Sequence, residues 1–197
     1  ARLAHFVRDD VKLCHIGFGT MNGKDGKPYK TRDGGVMRLS DLIETVTDAA
    51  RAKMDESNAM ADIPDAEKQA EAEKVGIAAL KFGDLINQPS KDYVFDMDRF
   101  LASEGKTGPY LQYCVVRIAS VLRRAQEEGL CPGEILPPES ASERALILKL
   151  ASVGDVLLRA FEEKAPTPIC EVLFDIAGVF NRFYHENKIL THEDAAR

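Results

Sequence analysis

The chain has 197 residues, 45% of them hydrophobic and 29% charged, with 26 Lys and Arg against 32 Asp and Glu for a formal net charge of −6. That length makes one large domain or two small ones, and the apolar content suffices for a packed core and excludes a disordered chain. No run approaches the roughly 18 apolar residues of a membrane span, the longest being interrupted by Lys149 or Asp175. No basic-then-apolar leader opens the chain, so secretion is not expected. Charge is unevenly placed. Residues 55–73 hold seven acids and one lysine, a local excess equal to that of the whole chain. The remainder is neutral, which leaves room for a local basic site facing a polyanion.

Cys14, Cys114, Cys131 and Cys170 contain no C-x-x-C spacing, and His5, His15, His185 and His192 are the only histidines. No metal site is expected from this set. Reduced, mostly buried thiols in a cytosolic protein are the expectation.

In chain order, Val11–Gly19 is a short apolar stretch read as a strand. It leads into a flexible loop with glycines at 23, 26, 34 and 35 and cations at Lys24, Lys27, Lys30 and Arg32. From Leu39 the pattern turns helical, with Ser40 as N-cap and Leu42, Val46, Ala49 and Lys53 along one face. Residues 62–65 (Asp-Ile-Pro-Asp) end this helix and start another, acidic at first and apolar from Val75 to Phe82. A loop with a short extended piece spans 87–98. Thr107-Gly108-Pro109 sets a cap and a first-turn proline for a helix to about Glu128. Ser140 and Glu143 form a capping box ahead of Leu146, Leu150, Val153 and Leu157. Thr167-Pro168 opens a last helix with Val172, Ile176, Val179, Phe180 and Phe183 inward. The expected fold is mainly α: an antiparallel helix bundle, preceded by a short strand and basic loop.

Gly17-x-Gly19 lacks the third glycine of a dinucleotide fingerprint, since position 22 is Asn22, and Gly23-Lys24 is followed by Asp25 rather than the Ser or Thr of a P-loop. His15-Ile16-Gly17-Phe18 approaches the HIGH signature of class I aminoacyl-tRNA synthetases but ends in Phe18 and does not open a helix. All three are set aside. The basic loop is different, because four cations within nine residues, spaced by glycines, suit a polyphosphate: mobile backbone can close on it while ammonium groups offset charge on a leaving pyrophosphate; taken alone, such a loop can equally be a solvated one.

On the helix from Pro109, Leu111, Val115, Ile118, Leu122 and Ala125 fall on one stripe at about 100° per residue and form the expected core face. Tyr110, Tyr113, Arg117 and Arg124 fall on a second stripe, and residues 106–125 carry four cations and no acid. Two phenol rings beside guanidinium groups suit a stacking platform for unpaired bases; the alternative is that both tyrosines pack against neighbouring helices.

The wording FGTMNGKDGKPYKTRDGGVMRLSDLI resembles the signature loop of arginyl-tRNA synthetases, where it stands in place of the class I KMSKS loop. The block 92–125 is similar to that family's approach to its helical anticodon-binding domain, and 173–190 to that domain's penultimate conserved helix. The resemblance covers essentially the whole chain in order. It implies that residues 1–100 end a catalytic domain and that 101–197 form an anticodon-binding bundle without the family's terminal helix. It further implies ATP, with Mg2+, handled as substrate by Lys24, Lys27, Lys30 and Arg32. Contacts to the anticodon loop would come from Tyr110, Tyr113, Arg117 and Arg124. The parent protein would be a cytoplasmic, monomeric arginine–tRNA ligase using arginine, ATP and tRNA(Arg), with no membrane partner. The chain carries no HIGH helix, nucleotide-binding fold or arginine pocket, so the fragment is expected to be inactive alone and to bind no cofactor. The alternative from the same residues is a non-enzymatic helical RNA- or protein-binding module derived from such an enzyme.

Overall fold

The structure, a computed structural model, describes residues 6–8, 10–28, 37–57, 62–131 and 133–190. Helices α1 (Leu39–Ser57) and α2 (Asp65–Leu85) form a hairpin. Leu42, Val46 and Ala50 of α1 meet Ala72, Ala79 and Leu80 of α2 in the main apolar cluster. The two helices approach closely at Gly76, where a Cβ would lie 3.0 Å from the Thr47 backbone nitrogen. The loop end of the hairpin is tied by Arg51, which pairs with Asp55 at 3.0 Å and with Asp65. Lys53, expected on the core face, is exposed; Thr47 and Ala50 take the buried positions.

Val11–Gly19 is not a strand. Among the described residues it is largely exposed and irregular, because no neighbouring strand offers it a ladder. Pairing begins just after it: β1 (Met21–Asn22) lies parallel to β2 (Tyr93–Val94), the extended piece expected between 87 and 98. Gly19 donates to the Pro89 carbonyl at 2.8 Å, and only glycine fits there, since a Cβ would sit 2.2 Å from the Lys91 carbonyl carbon. After β2, α3 (Met97–Phe100) stacks Phe100 edge-on against Phe95 at 4.9 Å and against Gly83 of α2.

Ser40 does not cap α1. The Arg38 carbonyl already accepts from Leu42, so Ser40 lies inside the first turn and its hydroxyl donates to Asp41 at 3.1 Å. The later caps form as the sequence specifies. Thr107 accepts from the Tyr110 N–H at 3.2 Å to open α4 (Gly108–Glu127), and Ser140 accepts from Glu143 N–H at 3.1 Å to open α5 (Ala141–Ala151). The apolar run after Ser140 is two helices, α5 and α6 (Val153–Glu163), because the Ser152 hydroxyl donates back to the Lys149 carbonyl at 2.7 Å and the chain turns there. The last helix, α7 (Thr167–Glu186), packs against α4, α5 and α6.

The bundle sits on the hairpin at Gly108, at Gln112, whose Nε2 donates to the Lys74 carbonyl at 3.1 Å, and at Thr167. Gly108 lies so close to α2 that a Cβ there would be 2.1 Å from the Ala78 carbonyl oxygen. The Thr167 hydroxyl donates to the Asn87 carbonyl at 2.9 Å. The fold is mainly helical, with a short parallel strand pair at its edge. No described helix is long and apolar enough to cross a membrane. Cys114 and Cys170 are buried and their thiols are pushed up by burial, whereas Cys14 and Cys131 are exposed, so only half of the thiols are interior.

Candidate functional site

The α4 face that turns inward matches the predicted one only in part: Leu111, Ile118 and Ala125 of that stripe are half-buried. Val115 is 62% exposed and Leu122 60%, while Cys114 is buried and Tyr110, Arg117, Ile118 and Val121 are half-buried. At about 100° per residue this rotates the packed face by roughly 60° toward the tyrosine stripe. The reason is the position of α7, whose Phe174, Asn181 and Tyr184 lie on that side of α4. The second stripe therefore borders the core instead of standing clear of it.

That placement separates the two tyrosines. Tyr110 packs on Phe174 of α7 with ring centroids 5.5 Å apart, and Lys106 also sits over the Phe174 ring, its Nζ 5.7 Å from the centroid. Tyr113 is 54% exposed. Between Tyr113 and Tyr184 of α7 lies the Arg117 guanidinium, 4.6 Å from one ring centroid and 4.7 Å from the other. Its Nη1 donates to Asn181 Oδ1 at 2.8 Å and its Nη2 to the Tyr113 hydroxyl. Asn181 Nδ2 in turn donates to the Tyr110 hydroxyl at 3.0 Å. Phe180 backs Tyr184 at 6.2 Å.

The structure thus brings Tyr110, Tyr113 and Arg117 into one cluster. Arg124, seven residues beyond Arg117 and exposed, lies about 10 Å further along the helix and is not part of it. Sequence reasoning missed Tyr184 and Asn181. Ala177, Asn181 and Tyr184 share one face of α7 at i, i+4, i+7, and a polar side chain on a packed face needs a partner across the interface. That spacing is the signal that could have found them. A fixed cation between two rings, with one ring open to solvent, can stack an unpaired base and attract phosphate.

At the other end of the chain, the described part of the basic loop is a closed turn. Gly23 N–H donates to the Lys27 carbonyl at 2.8 Å, Asn22 bridges Pro28, and Gly26 takes the left-handed conformation at φ +73°. Lys24 pairs with Asp96 at 3.2 Å and Lys27 is exposed. Asp96 also caps α3, accepting from the N–H of Asp98 at 3.2 Å and of Arg99 at 3.4 Å. Burial alone would raise its pKa, but Lys24 and those N–H groups together hold it below the usual carboxylate range. The Thr20 backbone N–H, 2.7 Å away, likewise holds Asp92 low. Lys30 and Arg32 lie outside the described residues.

Beside this turn an open apolar cleft of about 490 Å³ runs between α1, α2 and β1. Asp84 stands at it, accepting from the Tyr93 hydroxyl at 2.7 Å; burial, then that carboxylate, pushes the phenol pKa up. Among the described residues no group of three or more His, Cys, Asp or Glu side chains converges to hold a metal ion.

The family model for class I (R) tRNA synthetase catalytic domains matches residues 1–97, and that for the DALR anticodon binding domain matches residues 111–197. The chain belongs to the arginyl-tRNA synthetase family. It is 48% identical over 195 residues to the arginine–tRNA ligase of Alkaliphilus oremlandii, covering 98% of this chain and 33% of that protein. The same enzyme of Hyphomonas neptunium is 48% identical over 186 residues, covering 94% of this chain and 31% of that one. The fold superposes on Thermus thermophilus arginyl-tRNA synthetase with a TM-score of 0.73 at 30% identity, covering 93% of this chain and 30% of that chain. The chain spans about a third of the length of the curated relatives it matches. The Tyr113–Arg117–Tyr184 stack lies within the segment matched by the anticodon-binding model, and the Lys24–Lys27 turn within the catalytic one.

Proposed function

We propose that the chain is the carboxy-terminal portion of a cytoplasmic arginine–tRNA ligase that activates arginine with Mg2+-bound ATP and charges tRNA(Arg). Residues 1–100 serve as the end of the catalytic domain and 101–197 as the anticodon-binding bundle. The observation that carries this is the Arg117 guanidinium held between Tyr113 and Tyr184 on the face where α4 meets α7. The anticodon loop supplies splayed bases and phosphates, and a ring-and-cation surface binds both.

Each residue has a task in this reading. Tyr113 offers its open ring to a base, while Arg117 donates to base or phosphate acceptors. Tyr110 supports the cluster from behind through Phe174 and Asn181, and Arg124 adds a cation further along the helix. Lys24 and Lys27 sit on the closed turn that follows β1. Together with Lys30 and Arg32 they hold the triphosphate and offset charge on the leaving pyrophosphate. Lys24 must leave Asp96 to do so. The parent acts as a monomer, and the isolated segment lacks ligase activity because the reacting groups need one complete pocket.

The test is equilibrium binding of tRNA(Arg) to the 197-residue chain as a function of salt. Binding that weakens with salt and depends on Arg117 supports the assignment. Equal affinity of the wild-type chain and the Arg117→Ala variant for tRNA(Arg) overturns it.

A further inference from the structure

The two ring contacts place the Arg117 guanidinium carbon 4.6 and 4.7 Å from the Tyr113 and Tyr184 centroids, but such contacts do not aim its N–H groups. Direction has to come from hydrogen bonds. The Tyr113 hydroxyl is on the same helix as Arg117 and moves with it. Asn181 is on α7 and ties the guanidinium to the neighbouring helix at 2.8 Å. Its own orientation is forced. Arginine has no acceptor, so only the amide oxygen can face it, and the amide nitrogen then donates to Tyr110 at 3.0 Å. Tyr110 is itself wedged against Phe174.

We infer that Asn181 is a positioning residue: it sets the direction of the Arg117 guanidinium, so that the N–H groups left over from the fold stay aimed at an acceptor beside the Tyr113 ring. An acceptor on an unpaired RNA loop, base edge or phosphate oxygen, meets donors already aimed at it. The inference rests on the tRNA-binding reading above and adds to it a residue that touches no RNA. Guanidinium donors form a fixed fork, so a small rotation moves them away from the acceptor even when the charge stays in place. Affinity is then lost without loss of charge.

Asn181→Leu keeps the branching of the side chain and removes both hydrogen bonds. In the 197-residue chain it should weaken tRNA(Arg) binding about five- to tenfold while leaving the slope of affinity against salt unchanged, since Arg117 is still present. In the Arg117→Ala background the same change should cost nothing further, a non-additivity that a general packing defect does not produce. Nitrogen-detected NMR of the unliganded wild-type chain gives a readout that needs neither variant. The Arg117 Nη groups should show hindered rotation, and in Asn181→Leu they should average. Freely rotating Arg117 in the wild type overturns the inference, as do equal losses from Asn181→Leu in both backgrounds. Binding that depends on Arg117 and not on Asn181 overturns the inference alone. A hindered Arg117 with no salt-dependent tRNA binding overturns the tRNA reading itself, and the positioning role with it.

Discussion

Replacing Tyr113 and Tyr110 by alanine, one at a time, should give opposite phenotypes although the residues are three apart on one helix. Tyr110 is half-buried between Phe174 and the Asn181 amide. Full truncation of a core aromatic costs about 3–5 kcal/mol, and half burial brings this to about 2 kcal/mol. For a chain of this size each kcal/mol lowers the melting temperature by about 2–4 °C, so Tyr110→Ala should melt about 4–8 °C lower. Tyr113 is 54% exposed and touches only Arg117 among the cluster residues. Its loss should change stability by no more than about 0.5 kcal/mol. Stacking of a base on it is worth about 1–3 kcal/mol, so Tyr113→Ala should weaken tRNA binding roughly 10- to 100-fold. Thermal melts and tRNA titrations across a salt series read both effects. A Tyr113→Ala chain that melts many degrees lower yet binds normally would refute the argument, as would a Tyr110→Ala chain that melts like the wild type.

Gly83→Ala should destabilise the fold by about 1–3 kcal/mol, because a Cβ there would lie 2.2 Å from the Phe100 ring; chemical denaturation with an unchanged midpoint would show that the ring moves aside freely. Acid should release the strand pair before the helices melt. Asp92 and Asp96 both sit below their ordinary pKa, so their stabilisation is complete above about pH 4 and fades as pH falls through the lower folded values. Hydrogen exchange at the Thr20 amide should accelerate in that window, and protection that stays flat down to about pH 2 would contradict it. In a full-length ligase carrying this segment, Lys27→Ala should lower the rate of arginine activation by roughly 10²-fold while changing tRNA affinity little; pyrophosphate exchange measures the first, and equal rates would leave the turn without a catalytic role.

Local chemistry is readable from the sequence where it is self-contained. Thr107-Gly108-Pro109 and Ser140-x-x-Glu143 start their helices because each cap is made within four residues. Neighbours are not readable in this way. The α4 periodicity shows two stripes, and only the placement of α7 decides how far each is covered. Val11–Gly19 has strand composition but finds no ladder, whereas Met21–Asn22, with less β character, pairs with Tyr93–Val94 far along the chain. Within the candidate site, Tyr113 and Arg117 follow from spacing on one helix. Asn181 and Tyr184 complete it from another helix, and the Ser152 break between α5 and α6 helps set where that helix lies.

Gly108 roots α4 against the backbone of Ala78, which makes the helix a lever with its fulcrum at the first residue. A tilt of about 5° about that point moves the far end of a 20-residue helix by about 2.5 Å, but Tyr113 by only about 0.7 Å and Arg117 by about 1.2 Å. The residues proposed to contact RNA stand near the pivot, and the swing falls on Arg123, Arg124 and the loop beyond. On that reading the outer turns of α4 can shift without losing registration at the stack. Because the fulcrum is backbone on backbone, it holds whichever side chains the outer turns carry.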